Sequence, residues 1–127
     1  MTTNSTPRAI VAGHGSFAAG LVSAVQQITG LGDRFVAISN TGLGAEAIET
    51  AVREALATTG ATVVFTDLPA GSCTMAVRRL AKLGPSVTVV TGVTLPTLLA
   101  YAMGASVEEA VARGRESLMR YGGPEGA

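Results

Sequence analysis

One side chain in this sequence changes charge near neutral pH without help: His14, the only histidine. It lies in Ala12-Gly13-His14-Gly15-Ser16, after an apolar run and before an amphipathic one. That pattern puts it at the C-terminal end of a strand where a helix begins. Open α/β sheets carry their reactive groups there. Asp67 and Ser72 hold a similar place after a second apolar run, in Thr66-Asp67-Leu68-Pro69-Ala70-Gly71-Ser72. A carboxylate that accepts the imidazole Nδ1–H fixes the tautomer and aims Nε2 outward as a nucleophile. When Nε2 takes a phosphoryl group, positive character builds on the ring, and the same carboxylate stabilises it. Ser72 stands at a predicted helix start, so its hydroxyl sits among unpaired backbone N–H groups that suit a phosphoryl oxygen.

Each of these residues also has a plainer reading. His14 is then a turn residue with a satisfied hydrogen bond, Asp67 caps a turn, and Ser72 is an ordinary N-cap. Cys73 is expected to pack against the helix and the methionines to fill core.

The elements that must position these residues alternate four times. Strands are expected at about Arg8–Ala12, Arg34–Ser39, Ala61–Thr66 and Ser86–Thr91. The first helix spans Ser16–Thr29, with Phe17, Leu21, Val22, Val25 and Ile28 at helical spacing, and ends at Gly30 and Gly32. The second carries Ala47, Ile48, Ala51, Val52, Ala55 and Leu56 and stops at Gly60. The third carries Met75, Ala76, Arg79, Leu80 and Leu83, and Gly84-Pro85 breaks it. Pro96 suits the first turn of a short fourth helix. Ser106-Val107-Glu108-Glu109 is a capping box that opens a last helix running to about Tyr121. The strands are apolar on both faces, as in a parallel sheet covered by two helix layers. The expectation is an α/β three-layer sandwich around a mostly parallel four-stranded sheet. Right-handed crossovers bring His14, Asn40, the 67–72 loop and the 92–94 loop to one rim.

Composition narrows the function. Nine basic and nine acidic residues cancel, and the basic ones are scattered, so no nucleic-acid partner is expected. Arg78-Arg79 and Arg113/Arg115 read as solvated helix faces. A single cysteine excludes an internal disulfide and, with no signal-peptide pattern, favours a reducing cytoplasm. No apolar run reaches the roughly 18 residues of a membrane span. One His and one Cys are too few for a protein-built zinc site. Residues 1–127 read as one domain, with 1–7 and 122–127 as flexible ends. Gly13-His14-Gly15-Ser16-Phe17-Ala18 formally matches a dinucleotide fingerprint. It is discounted, because His14 crowds a pyrophosphate and the acid in range, Asp33, precedes the second strand instead of closing it.

Three blocks together resemble the IIA domain of the mannose-type branch of the bacterial sugar phosphotransferase system. They are Ala12-Gly13-His14-Gly15, then Asp67-Leu68-Pro69-Ala70-Gly71-Ser72-Cys73, then Gly92-Val93-Thr94-Leu95-Pro96-Thr97-Leu98-Leu99. The resemblance implies that His14 accepts phosphate on Nε2, Asp67 orients it, and Ser72, Gly71 and Gly15 hold the phosphoryl group. It implies a phosphotransferase that takes phosphate from HPr and passes it to a IIB component, with no metal or organic cofactor. A cytoplasmic homodimer with a swapped antiparallel edge strand, reaching the membrane only through the transporter complex, is implied as well. Ala70, Cys73 and Thr94 depart from the family pattern, which has glycine, proline and asparagine there. Two alternatives stay open: the phosphocarrier subunit of dihydroxyacetone kinase, and a non-enzymatic regulatory module of the same fold.

Overall fold

A computed structural model describes residues 8–83 and 86–126. Strands β1 (Ala9–Gly13), β2 (Phe35–Ser39), β3 (Val63–Thr66) and β4 (Thr88–Val90) alternate with helices α1 (Phe17–Thr29), α2 (Ala45–Thr59) and α3 (Ser72–Leu83). Helices α4 (Leu95–Ala102) and α5 (Val107–Glu116) follow. The sheet order is β2-β1-β3-β4 and every pair is parallel. The antiparallel swapped strand is not among the described residues. Gly84-Pro85 and residues 1–7 lie outside them.

The central strand dictates the layers. All of β1 is buried. Alternation sends Ala9 and Val11 to one face, against α1, α4 and α5, and Ile10 and Ala12 to the other, against α2 and α3. On the first face Phe65 and Tyr101 meet edge to face at 5.4 Å, and Phe35 lies 6.4 Å from each. Burying Phe65 is worth roughly 1.5–3 kcal/mol. Arg8 donates to the Tyr101 carbonyl and Arg34 to that of Ala102. Two cations thus cap the C-terminal end of α4, where the helix dipole favours them.

The termini follow local chemistry. Gly30 and Gly60 close α1 and α2 in left-handed conformation, at φ 76° and 75°. The capping box forms as expected: Glu109 N–H donates to Ser106 Oγ at 3.1 Å, and Ser106 N–H donates to Glu109 Oε1 at 2.9 Å. Arg78, Arg79, Arg113 and Arg115 are exposed, as expected, and Cys73 is fully buried.

Three expectations need correction. Helix α5 stops at Glu116, not near Tyr121. Ser117 turns its N–H and hydroxyl back onto the Arg113 carbonyl, and Leu118, Met119 and Tyr121 beyond it are exposed. Met75 is 42% exposed, and Met103 and Met119 are exposed too, so these methionines do not fill core. At 100° per residue Met75 points roughly 150° away from the buried Cys73, Val77 and Leu80 stripe. Ile28 is also exposed, because the buried stripe of α1 centres on Ala18 and Val25, roughly 70° round the helix.

Two glycines give a paired test of this packing. A Cβ on Gly114, in α5, would overlap Thr97 Oγ1 of α4, whereas one on Gly20 of α1 would meet nothing within 4 Å. Gly114→Ala should lose about 1–3 kcal/mol to overpacking, less the helix preference of alanine. Gly20→Ala should gain about 0.5–1 kcal/mol. Urea unfolding of both variants checks the two signs.

Candidate phosphoryl-acceptor site

Strand order determines where the site lies. The chain leaves β1 through α1 toward β2 on one side, and leaves β3 through α3 toward β4 on the other. Between β1 and β3 the connections diverge onto opposite faces, which opens a crevice at the carboxyl ends of the strands. Register places Ala12 beside Thr66, so His14 and Asp67 emerge next to each other.

Gly15 has φ +54°, a left-handed turn that suits glycine. It lets Phe17 N–H return to the His14 carbonyl at 3.0 Å and start α1. The Asp67 loop is pinned from below by the buried hydroxyls of Thr66 and Thr74, 2.6 Å apart; Thr74 Oγ1 also donates to the Leu68 carbonyl. Val93 N–H bonds the Thr66 carbonyl and ties the 92–94 loop to the same rim.

Asp67 Oδ2 accepts two hydrogen bonds, both from His14. The backbone N–H donates at 2.9 Å and the ring Nδ1 at 2.7 Å. The ring distance falls inside the reach expected of an orienting carboxylate. Asp67 is 9% exposed and His14 49%, so the carboxylate is sheltered while the ring meets solvent. Asp67 Oδ1 is buried and accepts no hydrogen bond. Burial pulls the Asp67 pKa upward, but the two hydrogen bonds from His14 and its charge outweigh that and leave it below the ordinary 3.8. Burial, with the Asp67 charge behind it, raises the Cys73 thiol. Cys73 is therefore an inert packing residue.

Close approach is the other requirement. A Cβ on Gly13 would sit 2.9 Å from Phe17 and 3.1 Å from the Asp67 carboxylate. The space over this glycine is thus filled by Asp67 and Phe17, not left open for a pyrophosphate. A Cβ on Gly71 would sit 3.1 Å from His14 Cε1, so the start of α3 lies against the ring edge. Ser72 opens α3, exposed, and its Oγ accepts from Asn40 Nδ2 at 3.1 Å. The sequence placed Asn40 on the rim without a partner and gave Gly13 no role at the site. Both roles depend on distances between elements far apart in the chain.

The three family departures fit locally. No described non-glycine residue, Ala70 included, has positive φ. Cys73 is buried. Thr94 precedes α4 with its hydroxyl 3.2 Å from that of Thr97. Among the described residues no group of three His, Cys, Asp or Glu side chains converges. None of the described helices is long and apolar enough to cross a membrane.

The lowered Asp67 pKa has a definite sign. Its contribution to stability is complete above the unfolded value near 3.8 and fades as pH falls through the lower native value. Carbon-detected NMR should show Asp67 titrating below 3.8, and above its wild-type midpoint in His14→Ala.

Comparison with known proteins agrees with this fold. The family profile of the fructose IIA component of the phosphotransferase system matches residues 8–118. The fold is similar to that of a phosphotransferase component EIIA from Streptococcus agalactiae, with TM-score 0.78 and 20% identity over 89% of this chain and 95% of that one. It is similar to a mannose/sorbose-specific IIA subunit from Enterococcus faecalis, with TM-score 0.77 and 19% identity over 94% and 98%. It is also similar to a IIA protein associated with the fucose utilization operon of Streptococcus pneumoniae, with TM-score 0.77 and 24% identity over 91% and 93%. A sequence comparison with curated proteins returns no match. A profile spanning nearly the whole described chain, on a four-stranded parallel sheet of this order, makes the chain a member of the mannose-type IIA family of phosphotransferase-system components.

Proposed function

We infer that this chain is a cytoplasmic phosphocarrier domain, residues 1–127, that takes a phosphoryl group from phospho-HPr on His14 Nε2 and hands it to a IIB component. The observation that carries this reading is the 2.7 Å contact between His14 Nδ1 and Asp67 Oδ2 beside a half-exposed ring. With Nδ1 as the protonated nitrogen donating to Asp67, the Nε2 lone pair is free. It attacks phosphorus as the N–P bond of the donor histidine breaks. The Nδ1 proton stays in place, and the positive character that develops on the ring faces a carboxylate ionised at neutral pH. Little covalent chemistry is left for the protein, so positioning supplies most of the catalysis. The phosphoryl oxygens are met by the Ser72 hydroxyl and by N–H groups at the start of α3, with Gly71 and Gly15 keeping that space clear of side chains. Transfer to IIB is the same step in reverse.

A protein donor must bring its own histidine in line with Nε2. The rim supports such docking: Leu68 is 50% exposed, Met75 42%, and Leu43 is exposed on the neighbouring loop. Exposed apolar side chains of this kind suit a transient protein interface. Phe17 is half-buried, packed against the core from the first turn of α1, so Leu68 and not Phe17 is the apolar side chain near His14 that fits this use. The same family reading supports a homodimer with two-fold symmetry.

Incubation with phosphoenolpyruvate, enzyme I and HPr, followed by intact mass, tests the assignment. Wild type should gain one acid-labile, base-stable phosphoryl group and His14→Ala none. A phosphorylated His14→Ala protein, or an unmodified wild type with active HPr, contradicts it. Asp67→Asn should slow transfer by about 100-fold, the scale of a positioned proton-handling group, while keeping the fold. Leu68→Asp should act on docking, raising KM for phospho-HPr about tenfold with little change in kcat.

A further inference from the structure

We propose that Asn40 is a positioning residue for phosphoryl transfer, acting through Ser72; this rests on the phosphocarrier reading above. Asn40 follows the last residue of β2, and its backbone is fixed on both sides. Its N–H donates to the Gly13 carbonyl at 3.0 Å, and its own carbonyl accepts from Leu43 N–H at 3.0 Å. The first of these bonds extends the β1–β2 ladder to the residue immediately before His14. With the backbone held, the side chain reaches across the rim, and Nδ2 donates to Ser72 Oγ at 3.1 Å over a separation of 32 residues.

The direction of that bond is what matters. A serine hydroxyl has one hydrogen to give and two lone pairs to receive with. Asn40 fills a lone pair and leaves the hydrogen free, and Ser72 donates to no described group. The Oγ–H is therefore free of Asn40 and available to an incoming acceptor, on the residue next to Gly71, which lies against the His14 ring edge. A phosphoryl group on Nε2 brings acceptor oxygens and negative charge to that place. Hydrogen bonds to charged groups are the strong ones, and they gain most when the donor is already oriented. Asn40 thus sets both the position of the Ser72 oxygen and the sense of its hydrogen bond. An aspartate at position 40 would reverse that sense: the carboxylate would accept the Ser72 hydrogen and add a second negative charge beside the phosphoryl group.

The test is a double-mutant cycle on the full chain, with phospho-HPr as donor and rapid-quench readout of phospho-His14. Asn40→Ala should lower kcat about fivefold with KM for phospho-HPr unchanged, the scale of one oriented hydrogen bond. Asn40→Asp should lower it further. Ser72→Ala should be slowed as well, and Asn40→Ala in that background should add no further loss, because Asn40 acts only through the hydroxyl. Circular dichroism melts of each variant establish that the fold is kept. Wild-type rates in Asn40→Ala, wild-type rates in Ser72→Ala, or losses that multiply in the double variant would each overturn the inference while wild-type transfer stands. Absence of transfer to wild-type protein from active phospho-HPr would instead overturn the phosphocarrier reading, and this inference with it.

Discussion

One oxygen atom organises this site. Asp67 Oδ2 accepts the backbone N–H and the ring Nδ1 of the same residue, His14. The first bond fixes the turn after β1, and the second fixes the ring that the turn carries. Neither alone would aim Nε2: a held backbone leaves χ1 and χ2 free, and a held ring on a loose turn would wander with it. This pair of hydrogen bonds has a steric condition, since the carboxylate passes so close to Gly13 that a Cβ there would sit 3.1 Å away. It also has an electrostatic condition. Burial pulls the Asp67 pKa upward, and the hydrogen bonds and charge of His14 bring it below its ordinary value. The partners sustain each other, as expected of two groups in one network.

The fold's contribution is to bring two loops from distant parts of the chain to one place. β1 and β3 are neighbours although β2 lies between them in sequence. Their helices depart to opposite faces, so the crevice is a consequence of strand order and not of any special residue. The side chains then divide the work. Thr66 and Thr74 hold the loop from inside, Gly15 turns the chain into α1, and Asn40 meets Ser72 from the third loop. Thr66, Gly15 and Asn40 lie within two residues of a strand end, where small errors in position are resisted by the sheet.

Much of this was legible in the sequence, for identifiable reasons. The four strands read correctly because each is an apolar run ended by glycine, a polar turn or a predicted helix start. The capping box at Ser106 is a purely local device and formed as read. His14 and Asp67 were legible because each directly follows a strand, where topology alone determines the rim. What was not legible depends on where a second element lies. Met75 and Ile28 fit an apolar spacing, but the rotation of a helix about its axis is set by the layer that covers it. Leu118, Met119 and Tyr121 extend the apolar pattern of α5, yet no core reaches them, so the helix ends at Glu116. The tight approach over Gly13 and the bond from Asn40 to Ser72 link separate loops, and no local pattern announces them.

The central claim is that Asp67 holds His14 with the proton on Nδ1 and the lone pair on Nε2. Long-range proton–nitrogen correlation of the imidazole ring, on uniformly 15N-labelled protein above the pH at which the ring is protonated, reads the tautomer directly. The account predicts the Nδ1–H tautomer in wild type and a loss of that preference in Asp67→Asn. A wild-type ring with its proton on Nε2 would leave no nucleophile facing the rim and would contradict the account.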